Sequence, residues 1–177
     1  MNRKAGWHNV DKYAVCRPDE IVDLESFPWP WADSSAEEVL FNHSLEHMGQ
    51  SPDAFIGIMR ELWRVCTPGA LVQINVPDPR HDNFIGDPTH VRPVTAGMLA
   101  LFSQRANRQW AADGAANSPL ALIHGIDFEL ENHERAFEEP WASLVAQGRM
   151  GEAELEEAVR RHNNVVRSHR FLLVAIK

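Results

Sequence analysis

The residues best placed for chemistry fall in two stretches, Asn42-His43-Ser44-Leu45-Glu46-His47 and His81 to Arg92. His43 and His47 are four positions apart, which puts two imidazoles on one face of a helix and suits metal ligation. Glu46 stands beside the second. The later stretch adds His81, Asp82, Asp87 and His90, so a His-and-carboxylate centre, with metal-dependent hydrolysis through His43, His47, His81 and His90, is one chemistry open to this set. The His-Glu-x-x-His motif is absent, and no residue is assigned as a metal ligand. The same histidines suit a second use. Imidazole titrates near neutrality, so His43 or His90 can take a proton from a nucleophile as a general base. The forked guanidinium of Arg92 suits an anionic group, and Asp87 with Arg92 marks a substrate-binding loop.

These residues need a frame, and the patterning predicts alternating strand and helix, an α/β domain with a largely parallel sheet. Trp7 to Asp11, Glu20 to Asp23 and Glu38 to Asn42 read as short strands. The second is stopped by Phe27-Pro28-Trp29-Pro30-Trp31, whose prolines cannot continue a ladder. Ser51 is a good N-cap, Pro52 suits the first helical position, and Asp53 favours the positive end of the dipole. Phe55, Met59, Leu62 and Cys66 then recur at helical spacing, widened by Ile56 and Trp63, until Thr67-Pro68-Gly69 ends the helix. Ala70 to Val76 is a strand. Residues 77–93 form a loop too long for mere connection, placed where an open α/β sheet has its crevice, and read as a lid. Val94 to Phe102 reads as a helix capped by Thr95, Leu120 to Leu130 as a strand, and Glu152 to His162 as a surface helix with Leu155, Ala158 and Val159 inward. Phe171 to Ile176 is an apolar strand buried on both faces, pairing antiparallel with its predecessor at the sheet's edge. Trp29, Trp31 and Trp63 read as core and rim packing.

The totals bound the function. One domain spans residues 1–177, without repeats or a dividing linker. The formal charge is −8, and Arg160-Arg161-His162 with Arg167 and Arg170 is interleaved with acids, a solvated helix face. Nucleic acid is therefore not an expected partner. No apolar run approaches the roughly 18 residues that cross a bilayer. Met1 to Gly6 carries no apolar stretch of a secretory signal. Cys66 reads as a buried thiol in a reducing compartment, so the expected location is cytoplasmic.

From Asn9 to Val76 the motifs resemble, in order and spacing, a class I S-adenosylmethionine-dependent methyltransferase of the type 11 kind. Asn9-Val10-Asp11 is similar to the strand whose terminal acid holds the cofactor ribose. Asp23-Leu24 is similar to the next strand end, where an acid and the following residue meet the adenine. Pro30-Trp31-Ala32-Asp33 precedes a strand as in that family, and Asn42 to His47 is similar to its Leu-Glu-His signature. Glu61-Leu62-Trp63-Arg64-Val65-Cys66-Thr67-Pro68-Gly69-Ala70 resembles the Arg-Val-Leu-Lys-Pro-Gly-Gly turn, with Ala70 for the second glycine. The resemblance implies a Rossmann-like three-layer sandwich, mostly parallel with an antiparallel C-terminal edge strand. It also implies S-adenosylmethionine as cofactor, held by Asp11, Asp23, Leu24 and Asn42, with His43 and His90 near the reacting end and a small-molecule acceptor. The family's first strand and its Gly-x-Gly loop would precede Gly6 and are absent. That strand lies centrally, between the strands ending at Asp11 and Asn42, so its loss leaves edges that a second copy can pair, a homodimer. The same loss makes a non-catalytic methyltransferase-like binding or subunit domain the alternative.

Overall fold

The computed structural model describes residues 4–177; Met1 to Arg3, part of the stretch read above for a leader, lie outside them. Two parallel strands come first, β1 (Val10–Asp11) and β2 (Glu20–Ile21), and form a sheet of their own. The Val22 amide extends their ladder by one bond to the Asp11 carbonyl, at 3.2 Å. The main sheet contains β3 (Ala36–Asn42), β4 (Cys66–Pro77), β5 (Phe128–Phe137) and β6 (Val166–Ala175), in the spatial order β3-β4-β6-β5. β3 and β4 are parallel, and β6 is antiparallel to both β4 and β5. The expected antiparallel pair is present, with β5 at the edge and the C-terminal β6 one place inside it.

The two sheets are not joined by a shared ladder among the described residues. No strand pairs with the outer side of β3 among the described residues. The His43 amide donates to the Asn75 carbonyl (2.9 Å). Backbone groups alternate in direction along a strand, so those of Val39 and Phe41 also face β4, and those of Leu40 and Asn42 point to the open side.

Helix α1 (Pro52–Val65) begins as its sequence predicts, with the Ser51 hydroxyl accepting from the Ala54 amide at 3.1 Å. It buries Phe55, Ile58, Met59, Leu62 and Val65 on the sheet, so Ile58 rather than Ile56 completes the stripe. The helix ends one residue earlier than expected. Cys66 opens β4, and Thr67-Pro68-Gly69 belongs to that strand's irregular start. Burial pushes the Cys66 thiol up to about 11, which keeps it protonated and inert as the buried reading requires.

Past β4 the chain is more helical than expected. α2 (Asp82–Ile85) is a single turn inside the 77–93 loop, and α3 (Ala96–Ala100) carries the Thr95 cap, whose hydroxyl accepts from Met98 at 3.2 Å. α4 (Gln104–Ala112) follows, capped by Ser103, whose hydroxyl accepts from the Ala106 amide at 3.0 Å. The strand expected over 120–130 is α5 (Leu120–His124) followed by β5. Two local causes favour the helix. The buried Asn107 side chain accepts from the Ala121 amide (3.0 Å), and Gly125 closes α5 at φ 65°, where glycine adopts the left-handed conformation without strain. α6 (Trp141–Ala146) and α7 (Glu152–Arg161) complete the chain, and Leu155 and Ala158 of α7 form a small separate core with Val165. In β6, Phe171, Leu173 and Ala175 are fully buried, while Leu172 and Val174 are half-buried.

Arg64 and Glu61 of α1 tie down the Trp29-Pro30-Trp31 crossover. Glu61 accepts from Arg64 Nε and Nη2 at 2.9 and 2.8 Å and from the Trp29 amide at 2.6 Å. The Arg64 bonds hold the Glu61 carboxyl below its ordinary value, against the opposing effect of burial. Asp78 is lowered too: burial would raise it, but the His169 and Arg80 contacts outweigh that. A carboxyl whose folded value lies below its unfolded value, about 4.3 for glutamate, stabilises fully above the unfolded value. That contribution is lost as pH falls through the folded one. The urea midpoint should therefore fall most steeply below about pH 4.5, after a smaller decline that begins near pH 6.5, where His133, held below the ordinary imidazole value by burial, takes up its proton more readily in the unfolded chain. In Glu61→Gln the acid limb should be shallower, and an unchanged limb would show that Glu61 is not among the groups responsible.

Candidate functional site

The parallel strands carry the candidate residues at their C-terminal ends. The Gly49 amide donates to Glu25 Oε1 at 2.8 Å, so the segment after β2 lies against the segment after β3, and these strands end on one side of the molecule. Asp11 ends β1, Asp23 and Leu24 follow β2, and Asn42 and His43 end β3. At β1 and β2 the carboxylates first serve their own turns. Asp11 Oδ1 accepts from the Tyr13 amide (2.8 Å) and Asp23 Oδ1 from the Glu25 amide (3.0 Å), both closing Asx turns. Desolvation, then the Asp11 carboxylate, push the Cys16 thiol above its ordinary value. Asp23 keeps its second oxygen unbonded among the described residues. The Leu24 carbonyl accepts from the Trp29 indole (3.0 Å), and Asn42 Oδ1 accepts from Asn75 Nδ2 of the neighbouring strand (3.0 Å).

The other candidates gather after β3. Leu45–His47 is one 3-10 turn, and the 77–93 loop folds back on it through two backbone bonds. The Val91 and Arg92 amides both donate to the Glu46 carbonyl, at 2.9 and 3.0 Å. This docking sets the His90 ring edge-on to His47, with centroids 4.5 Å apart. Arg92 reaches over the Phe55 ring at 4.9 Å and bonds the Gly49 carbonyl through both Nε, at 2.9 Å, and Nη2. Its guanidinium thus clamps the backbone after β3. Asp87 Oδ1 accepts from the Thr89 amide (2.8 Å) and hydroxyl (2.6 Å), which hold its carboxyl below the ordinary value.

Not every candidate joins this cluster. His81 is buried as the cap of α2, where Nδ1 accepts from the Asn83 amide (3.0 Å) and Nε2 lies 3.3 Å from Glu138. The four-histidine set is not assembled as a unit: His47 and His90 meet, and His81 has a structural post. His43 is exposed, at φ 51°, with Nδ1 3.6 Å from Glu46 Oε1.

Two features escaped the sequence reading. The burial of Glu46, which the sequence only places beside His47, is the first: it is 1% exposed and lies at the centre of the cluster. Across the far side of the sheet, His133 Nε2, His169 and Asp78 Oδ2 form a chain of two 2.8 Å contacts from β5 through β6 to the end of β4. Burial, followed by His169 and Arg135, holds His133 below the ordinary imidazole value. Pairing of β5 with β6 creates this line, so the histidine spacing alone could not announce it. A surface hollow of ≈ 390 Å³ between β5 and α7, lined by His133, Arg135, Leu155 and Glu156, is remote from the strand ends. Its Arg135 and Glu156 pair with one another, so it offers no convergent unsatisfied group and is not the favoured site.

No protein-family model and no curated protein matches the chain. Among solved structures it is similar to an S-adenosylmethionine-dependent methyltransferase from Archaeoglobus fulgidus, with a TM-score of 0.51 and 15% identity over 86% of this chain. It spans 65% of that protein's length. A Methanosarcina mazei methyltransferase matches at a TM-score of 0.48 and 12% identity, over 89% of this chain and 66% of its own. The fold is thus the Rossmann-like fold of class I S-adenosylmethionine-dependent methyltransferases.

Proposed function

We propose that the chain is an S-adenosylmethionine-dependent methyltransferase acting on a small-molecule acceptor, with the nucleoside part of the cofactor recognised by the ends of β1 and β2. The observation carrying this reading is the convergence of those ends with the end of β3 on one side, tied by the Glu25–Gly49 bond. A carboxylate oxygen suits ribose hydroxyls because it accepts their hydrogen bonds. Asp23 retains such an oxygen, and Asp11 retains accepting capacity beside its turn bonds, so the donor set fits the nucleoside half. The cofactor, when bound, supplies a methyl group on a sulfonium centre, and the chain's work is to position the acceptor. His43, exposed at the end of β3, is the residue suited to take the acceptor's proton, with Arg92 holding the adjoining backbone in place.

The alternative is a non-catalytic methyltransferase-like domain. It is favoured by Asp11, one of whose carboxylate oxygens already serves the Tyr13 amide, and by the outer side of β3, with which no strand pairs among the described residues. Calorimetric titration with S-adenosylmethionine and S-adenosylhomocysteine separates the two. Micromolar binding, weakened at least about tenfold in Asp23→Ala, is the expected result; tenfold corresponds to about 1.4 kcal/mol. Absence of heat up to millimolar ligand would leave only the binding-domain reading.

A further inference from the structure

Glu46 is a buried carboxylate without hydrogen bonds. It is 1% exposed, and neither oxygen has a hydrogen-bond partner among the described residues. The nearest cation-forming group, His43 Nδ1, is 3.6 Å from Oε1, beyond hydrogen-bond range. Desolvating a carboxylate without partners is strongly unfavourable, and native proteins answer it with a proton or a coordinated cation. The neighbours here supply the second answer. One oxygen of Glu46 and one ring nitrogen each of His47 and His90 all lie within 4.8 Å of one another. Small side-chain rotations close such a triangle around an ion with bonds of about 2.1 Å.

The surrounding hydrogen bonds prepare both imidazoles for that role. His90 Nδ1 is 3.0 Å from the Phe84 carbonyl, which can only accept, so Nδ1 carries the hydrogen and Nε2 keeps its lone pair. His90 Nε2 lies 3.8 Å from Asp87, too far for a hydrogen bond to compete. His47 Nδ1 is 2.8 Å from the Thr89 hydroxyl, whose own hydrogen goes to Asp87 Oδ1 at 2.6 Å. Thr89 must therefore accept from His47, and the His47 lone pair is on Nε2 as well. Metal-binding histidines are held in this way, with the other ring nitrogen donating to a carbonyl or, here through a hydroxyl, to a carboxylate. The Phe84 ring, 5.2 Å from His90, supplies apolar shielding on one side.

We propose that Glu46, His47 and His90 bind one divalent first-row transition-metal ion, as a two-histidine, one-carboxylate site with its remaining positions open to water or a substrate oxygen. Two imidazoles favour zinc or iron(II) over magnesium or calcium, which prefer all-oxygen sets. The site uses Glu46, which the methyltransferase reading does not, and metal binding tests nothing about S-adenosylmethionine.

The test is calorimetric titration of the chelator-stripped, full-length protein with zinc chloride, paralleled by cobalt(II) absorption, which reports imidazole and carboxylate coordination. One equivalent should bind in the wild type. Glu46→Gln, which preserves side-chain shape, and His90→Ala should each weaken binding at least about a hundredfold, since even outer partners of such ligands cost 10–100-fold. His81→Ala should bind as the wild type does. Thermal melts in excess chelator show that each variant is folded, and added zinc should raise the wild-type midpoint but not that of Glu46→Gln. Failure of the wild type to bind zinc or cobalt would overturn the proposal and leave Glu46 a buried acid without a ligand role. Binding unchanged in Glu46→Gln and His90→Ala would overturn it equally.

Discussion

Replacing Gly49 by alanine is expected to destabilise the protein by about 2–5 kcal/mol and to loosen the cluster after β3. Two independent costs add. Gly49 sits at φ 69°, where an L side chain costs roughly 1–2 kcal/mol. A Cβ there would also lie 2.7 Å from Phe55 Cβ and 2.8 Å from Phe55 Cα. The second contact is backbone of α1, so no rotamer change relieves it, and overpacking of this kind costs about 1–3 kcal/mol. The position matters beyond stability, because the Gly49 amide holds Glu25 and its carbonyl receives Arg92. For a chain of this size the melting midpoint should fall by roughly 5–15 °C. Gly97→Ala is the control: nothing lies within 4 Å of its added Cβ, and it sits inside α3, where alanine is the better residue. If both variants melt within a degree of the wild type, the close approach of Gly49 to α1 is not a constraint on the fold.

Gly49 also shows where sequence reasoning reaches its limit. The elements with strong local signals were legible: Ser51-Pro52 starts α1, Thr95 caps α3, and the inward residues of α7 are Leu155 and Ala158. Each of those signals acts through bonds to residues two to four positions away, so local sequence contains its cause. Leu120 to His124 failed for the opposite reason. Its apolar run fits a buried strand or a buried helix equally, and the deciding bond comes from Asn107, fourteen residues earlier. The resemblance led to an expectation of exposed sheet edges between Asp11 and Asn42, and the outer side of β3 has no strand neighbour among the described residues. The environment of Glu46 was not. The loop that carries His90 docks through the Val91 and Arg92 amides, and backbone donors leave no mark on side-chain identity. Asp11 ends β1 as its strand reading placed it, whereas β2 stops at Ile21, two residues short of Asp23, and which amides their oxygens accept from depends on turn geometry that the residue types permit without dictating.

Arg64→Ala is expected to cost about 2–4 kcal/mol, because one guanidinium holds the crossover that joins the two sheets. Its Nε and Nη2 form a bidentate pair with Glu61, Nη1 donates to Asp33 (2.6 Å) and the Trp31 carbonyl (2.8 Å), and Nη2 also reaches the Trp29 carbonyl (3.1 Å). Alanine leaves Glu61, which is largely buried, with only the Trp29 amide, and strands both carbonyls. Each buried acceptor left unsatisfied costs about 1–3 kcal/mol, partly relieved here by water because Arg64 is 25% exposed. Lysine should recover little, since a single ammonium cannot reproduce the fork. A merely charge-neutralising role predicts otherwise, with Arg64→Lys close to wild type. The location of the damage is equally diagnostic. The crossover carries Trp29, which is 4% exposed in the main core, while Trp31 bonds Glu20 of β2 at 3.0 Å. Hydrogen exchange in Arg64→Ala should therefore rise first across residues 20–35, before the β4-β6-β5 ladders are affected. Uniform acceleration over the whole chain would mean that the two sheets open as one unit. The ends of β1 and β2, with Asp11 and Asp23, would then depend on the main core as a whole rather than on this single tether.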